Sequence, residues 1–211
     1  MQKKMKIGVL GGTFNPIHNS HIYLAHEYAK QLNLDKIIIV PAYLPPHKKA
    51  ENLAGSEDRL NMCRLATQGM ELFHILDFEL NERGKSYTYK TLRYILEKHP
   101  NSELYLIMGG DMFITVQDWK LAPEIFRMAI LCGGQRKRGE RTLMDIHRQT
   151  LEARGARCVI LDLEAKPLSS TQVREKIAAG EDPKNLLHPE VWKYIVDNKL
   201  YFSCENGAPA L

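Results

Sequence analysis

An apolar run, Lys6-Ile7-Gly8-Val9-Leu10, stops at Gly11-Gly12; Ile22, Ala25, Ala29 and Leu32 then recur at helical spacing before a second apolar run begins at Lys36. This order of strand, turn, helix and strand constrains the fold more than any other feature of the chain. The second run, Lys36-Ile37-Ile38-Ile39-Val40, is β-branched and lacks polar alternation, as suits a parallel strand covered on both faces. Parallel neighbours need a crossover, so the opening segment predicts a βαβ unit.

The alternation continues. Residues 41–49, with prolines at 41, 45 and 46, cannot be helical and leave the sheet as an extended loop. Helices are expected near 57–69, 87–99, 111–119 and 141–154, and strands near 73–80, 103–108, 128–132 and 157–161. A helix at 169–179 has a polar start and Gly180 as its stop, and Pro189 sits in the first turn of a last short helix through Val196. Residues 203–211 are small and polar and read as a flexible tail, which leaves one domain over 1–202. The expected architecture is α/β, an open, doubly wound, mostly parallel sheet. Ligands sit at the carboxyl ends of such strands, near the switch in strand order.

With 211 residues, 44% hydrophobic and 26% charged, composition excludes disordered, collagen-like and coiled-coil classes. No stretch approaches a membrane span, and the short opening run reads as a strand and not as a signal peptide. Cys63, Cys132, Cys158 and Cys204 are scattered without C-x-x-C spacing, which fits a reducing compartment and a cytoplasmic location. The net charge of +4 suits a phosphate site but lacks the clustered basic excess of a nucleic-acid binder. Neither nucleic acid nor membrane is expected as a partner; a homo-oligomer is left open.

Gly11-Gly12-Thr13-Phe14-Asn15-Pro16 is neither the G-x-G-x-x-G fingerprint nor a P-loop, since no G-K-[ST] follows. The glycines fit a plain tight turn, or a cradle in which backbone N–H groups through Phe14 cup an anion. His18 and His21, three apart at the helix start, share one face beside its positive end. They fit an anion site, a helix cap with incidental histidines, or a metal pair, although the H-E-x-x-H spacing and its glutamate are lacking. Ser169, Ser170 and Thr171 at a helix start, with Arg174 one turn on, can bond phosphate or form a plain N-cap.

Gly12-Thr13-Phe14-Asn15-Pro16-Ile17-His18-Asn19-Ser20-His21 resembles the GTFDPIHxGH signature of the nucleotidyltransferases with an H-x-G-H motif. Leu168-Ser169-Ser170-Thr171-Gln172-Val173-Arg174 resembles the same superfamily's I-S-S-T-x-x-R stretch. Pro45-Pro46-His47-Lys48, the run from Ser86 to Leu92, Gly109-Gly110-Asp111, Trp119-Lys120 and the run from His188 to Ile195 with Leu200-Tyr201 are similar to the bacterial nicotinate-mononucleotide adenylyltransferases in particular. The resemblance spans about residues 6–202. It implies a Rossmann-like nucleotidyltransferase fold, ATP with Mg²⁺ and nicotinate mononucleotide as substrates, and release of pyrophosphate. His18, His21, Lys48 and Arg174 would carry the reaction. Gly11, Gly12, Thr13, Phe14, Gly110, Asp111, Ser169 and Ser170 would join His18, His21 and Arg174 around ATP. Asn15, Lys48, Thr88, Trp119 and Arg136 would hold the mononucleotide, the indole stacking on its ring. No protein-held metal is implied.

Two positions depart from the signature: Asn15 stands where aspartate is common, and Ser20 replaces the motif glycine. The rivals are phosphopantetheine adenylyltransferase, usually a shorter chain, a nucleotide-binding regulator without turnover, and a class I aminoacyl-tRNA synthetase domain. Ser86-Tyr87-Thr88 and Trp119-Lys120 argue against the first, and the lack of a lysine-rich second signature against the last. Nicotinate and nicotinamide mononucleotides differ by a few hydrogen bonds that backbone groups can supply, so the sequence does not choose between them.

Overall fold

A computed structural model describes residues 3–44, 53–135, 139–164 and 167–202. Strands β1 (Met5–Gly12), β2 (Lys36–Pro41), β3 (Phe73–Ile75), β4 (Ser102–Gly109), β5 (Ala129–Gly134) and β6 (Arg157–Val159) form one sheet. Their order is β3-β2-β1-β4-β5-β6, and every pairing is parallel. The chain winds outward from β1 to β3, then returns to the other side of β1 for β4. At such a reversal the crossovers leave in opposite directions and open a crevice at the carboxyl ends, here between Gly12 and Gly109. The sheet is the doubly wound one that the alternation of strands and helices along the chain predicts.

Helices α1 (Asn19–Leu32), α2 (Ser56–Ala66), α3 (Phe78–Asn81), α4 (Thr88–Lys98), α5 (Gly110–Phe113), α6 (Ala122–Met128), α7 (Glu140–Ala153), α8 (Ser170–Ala178) and α9 (Pro189–Asp197) cover it. Alternate strand residues feed a core on each face. Leu10, Ile37, Ile39 and Ile107 meet Tyr28 of α1, Met62 of α2, and residues of α8 and α9. Val9, Ile38, Leu104 and Leu106 meet Leu92 of α4, Ile125 of α6 and Met144 of α7. Val173 and Ile177 are fully buried, together contributing on the order of 3–6 kcal/mol. That fixes α8 on the sheet, where it can serve the β1 exit.

Three elements differ from the sequence reading. The strand expected over 73–80 ends at Ile75, because β3 is an edge with only Ile37 to Ile39 of β2 as partners. Phe78 instead starts a helical turn and stacks on Tyr94 of α4 at 4.4 Å between ring centroids. The helix expected over 111–119 divides into α5 and a 3-10 turn at Val116–Asp118, and α6 follows unanticipated. The proline next to Ala122 is the sequence signal for its start, whereas the left-handed φ of 56° at Leu121 before it is one that leucine does not announce. Among the described residues no helix is long and apolar enough to cross a membrane.

Candidate active site

β1 and β2 leave the sheet together, since the Ala42 N–H donates to the Gly12 carbonyl at 2.9 Å. A Cβ at Gly12 would stand 2.8 Å from the Phe14 ring, which folds back over the turn from a φ of 48°. Only glycine leaves that space. Gly11 is exposed. His18 is the N-cap of α1, and its backbone N–H donates to His21 Nδ1 at 3.2 Å. The two rings stack with centroids 3.6 Å apart, and Phe14 meets His21 edge-on at 5.2 Å. A nitrogen that accepts a hydrogen bond carries no proton there, so the neutral His21 ring holds its proton on Nε2 and is a donor at that end. His18 is 2% exposed and His21 half-buried. Both line a pocket with Ser20, Gly134, Gln135 and Leu163. The serine that replaces the motif glycine is accommodated in this wall.

The second signature grips the first. Ser169 caps α8, its Oγ accepting the Gln172 N–H at 3.2 Å while its own N–H donates to Gln172 Oε1 at 2.9 Å, a capping box. Ser170 Oγ donates to the Pro16 carbonyl at 2.9 Å, and Arg174 Nη1 to the Asn15 carbonyl at 2.8 Å. Two signatures more than 150 residues apart therefore build one loop, with α8 bracing the turn that leads into His18.

A second brace escaped the sequence reading. Arg59 of α2, 1% exposed, donates through Nη1 to the Thr13 carbonyl at 2.8 Å and the Ala42 carbonyl at 2.6 Å. Its Nη2 and Nε reach the carbonyls of Tyr43 and Ala54, each at 3.2 Å. One rigid fork thus ties the signature loop, the β2 exit and the α2 approach. Burial lowers the Arg59 pKa and raises that of its neighbour Cys63. The signal was present: Arg59, Met62, Cys63 and Ala66 are the buried positions at i, i+3, i+4 and i+7, so a cation lies on the apolar stripe of its helix. Asn15, 6% exposed, accepts at Oδ1 from the Ala54 N–H at 3.0 Å and the Tyr201 hydroxyl at 2.7 Å. Burial raises the Tyr201 pKa against the opposing pull of Arg174 and Arg59, which keeps the hydroxyl protonated as a donor.

The remaining candidates border the same edge. Asp111 lies exposed in the first turn of α5. A Cβ at Gly110 would come within 2.8 Å of Glu140 Cδ, so the Glu140 side chain of α7 packs over that glycine. Thr88 opens α4, and Trp119 packs half-buried on the second core. Lys120 Nζ stands 4.5 Å from the Tyr87 ring centroid, bringing those two stretches together. The Ser86 Oγ accepts the Tyr43 N–H at 3.0 Å, and the Ser86 N–H donates to the Leu44 carbonyl at 3.1 Å. Backbone bonds therefore link the Gly12 turn through Ala42 to Leu44 with the Ser86-Thr88 stretch. Lys48 and Arg136 lie outside the described residues. Among the described residues no group of three or more His, Cys, Asp and Glu could hold a metal ion. Imidazole and guanidinium donors beside a helix N-terminus match phosphate oxygens.

The cytidylyltransferase-like family model matches residues 9–176. A probable nicotinate-nucleotide adenylyltransferase of Clostridium tetani is 36% identical over 95% of this chain and 100% of its own length. The chain belongs to the nicotinate-nucleotide adenylyltransferase family. Another member, from a Shewanella species, is 35% identical over 94% of this chain and its whole length. Family membership extends to the fold. The Plasmodium falciparum nicotinic acid mononucleotide adenylyltransferase complexed with APC superposes with a TM-score of 0.73 at 18% identity, covering 93% of this chain and 97% of that one. The same enzyme complexed with NaAD gives a TM-score of 0.72 at 19% identity, with the same shares covered.

Proposed function

We propose that this adenylyltransferase moves AMP from ATP to nicotinate mononucleotide, giving nicotinate adenine dinucleotide and pyrophosphate in NAD biosynthesis. The observation that carries the reading is end-to-end similarity to enzymes of that name in a chain whose two signatures meet on one loop. A phosphate oxygen of the mononucleotide forms a bond to the α-phosphorus of ATP, and the bond to the bridging oxygen of pyrophosphate breaks in line. No covalent enzyme intermediate is needed, so the protein acts by positioning and by neutralising charge.

The His21 Nε2–H donates to the phosphates, beside His18 and the positive end of α1. Arg174 and the backbone N–H groups at the start of α8 hold the triphosphate, while Ser169 caps that helix and Ser170 and Arg174 keep the loop in place with the bonds they already make. Gly11, Gly12, Thr13 and Phe14 line the turn, and Gly110 with Asp111 takes the ATP ribose side. Thr88 and Trp119 frame the mononucleotide, Asn15 fixes the loop beside it, and Lys48 and Arg136 supply charge for its phosphate. ATP enters as its Mg²⁺ complex, the ion riding on substrate phosphates and water, as this small cation prefers. A cytoplasmic location fits the scattered cysteines.

The test is pyrophosphate release by purified protein with ATP and Mg²⁺, offered nicotinate mononucleotide, nicotinamide mononucleotide or phosphopantetheine. Preference for the first is expected. Preference for phosphopantetheine would move the chain to the sibling activity, and silence throughout would leave a nucleotide binder.

A further inference from the structure

Asn15 is held from three directions, and one holder comes from the far end of the chain. Its carbonyl accepts from Arg174, and its Oδ1 accepts from the Ala54 N–H and the Tyr201 hydroxyl. Tyr201 bridges 186 positions at 2.7 Å, the shortest of these contacts. The backbone that delivers it is strained. Lys199 and Tyr201 both adopt left-handed φ values, 52° and 70°, which non-glycine residues avoid unless the surroundings enforce them. The turn is anchored on α9, where the Leu200 N–H donates to the Ile195 carbonyl at 2.9 Å. Rigid helix, strained turn and phenol together fix the Asn15 side chain, three residues ahead of His18.

We infer that Tyr201 is a positioning residue for adenylyl transfer, its hydroxyl acting through Asn15 Oδ1 to set the loop that aims His18 and His21 at the reacting phosphates. This rests on the function proposed above. The bond couples the turn that follows α9 to the loop of the active site. Fixing a loop that carries reactive groups serves the transition state more than substrate affinity, so its loss falls on kcat.

Tyr194 provides the control. Its hydroxyl donates to Asp58 Oδ1 at 2.9 Å and accepts from Asn61 at 3.3 Å, both on α2. It ties the same C-terminal region to the body without touching the signature loop. The experiment compares wild type, Y201F and Y194F by amide hydrogen exchange of a peptide covering residues 12–18 and by steady-state pyrophosphate release. In Y201F we expect loop exchange to speed up by about tenfold. We also expect kcat to fall about tenfold while both KM values move by less than about threefold. Y194F should change neither loop exchange nor kcat. Loop exchange in Y201F equal to wild type overturns the inference, as does a kcat loss shared equally by Y194F. A silent wild type would instead defeat the adenylyl-transfer reading, while exchange still decides whether Tyr201 holds the loop.

Discussion

His21 combines two duties that one imidazole can perform together, accepting the His18 N–H at Nδ1 and offering a proton at Nε2. The first fixes the ring and tautomer; in the proposed reaction the second meets charge that develops on phosphate. Alanine at position 21 is therefore expected to lower kcat by about 10²–10³-fold, as loss of one preorganised donor does elsewhere. The melting temperature should fall by only about a few degrees, since the ring is half-buried and its helix survives. Unimpaired turnover would remove His21 from the reaction. Arg59 makes the opposite case. Leucine there leaves the carbonyls of Thr13, Ala42, Tyr43 and Ala54 without their donor, a loss of more than about 3 kcal/mol that a urea midpoint will report. The histidines were legible because their motif has a distinctive spacing. Arg59 has no motif, only its phase on an apolar stripe. Asn15 looked like a departure that removes a charge, yet the structure uses its Oδ1 as an acceptor, an ability asparagine shares with aspartate.

The elements most legible in the sequence were those buried on both faces. β1, β2, β4 and β5 read as unbroken apolar runs because both sides of each strand meet a core. The β3 to α4 stretch was harder, because Asp77 to Leu80 alternates like a strand while its contacts lie with helices. Glu79 shows what tertiary context does there. It sits on α3, accepts the Thr91 hydroxyl of α4, and is also bonded by the Ser86 side chain. Burial raises its pKa above the ordinary 4.5, against the lowering pull of Thr91 and Ser86. The folded chain therefore binds this proton more tightly than the unfolded chain does. That contribution to stability is complete below about pH 4.5 and is lost as pH rises through the folded value. Glu79→Gln should lack this decline. Denaturant unfolding of both proteins between acid and neutral pH should show wild type losing stability relative to the variant as pH rises; parallel curves would mean that Glu79 titrates as an exposed carboxylate.

At the scale of the molecule, the topology does what neither signature can do alone. The strand order brings the β1 exit to the switch point, and α8, arriving after β6, packs Val173 and Ile177 into the same core as Leu10. Ser170 and Arg174 then reach the loop. The sequence contained both motifs and the alternation, but not the strand order, since pairing of parallel strands depends on contacts distant along the chain. A ligand held by both signatures therefore touches the first and last thirds of the chain at once, and its binding energy should stabilise the whole cooperative unit. With ATP and Mg²⁺ at about 100 times Kd, the gain is about 2.7 kcal/mol. For a chain of this size that is a rise of about 5–10 °C in melting temperature. The transition should stay single, because Asn15 and Pro16 cannot leave α8 without exposing the core that α8 closes. A second, unshifted transition would mean that the signatures belong to separately melting parts and that the loop bonds do not couple them.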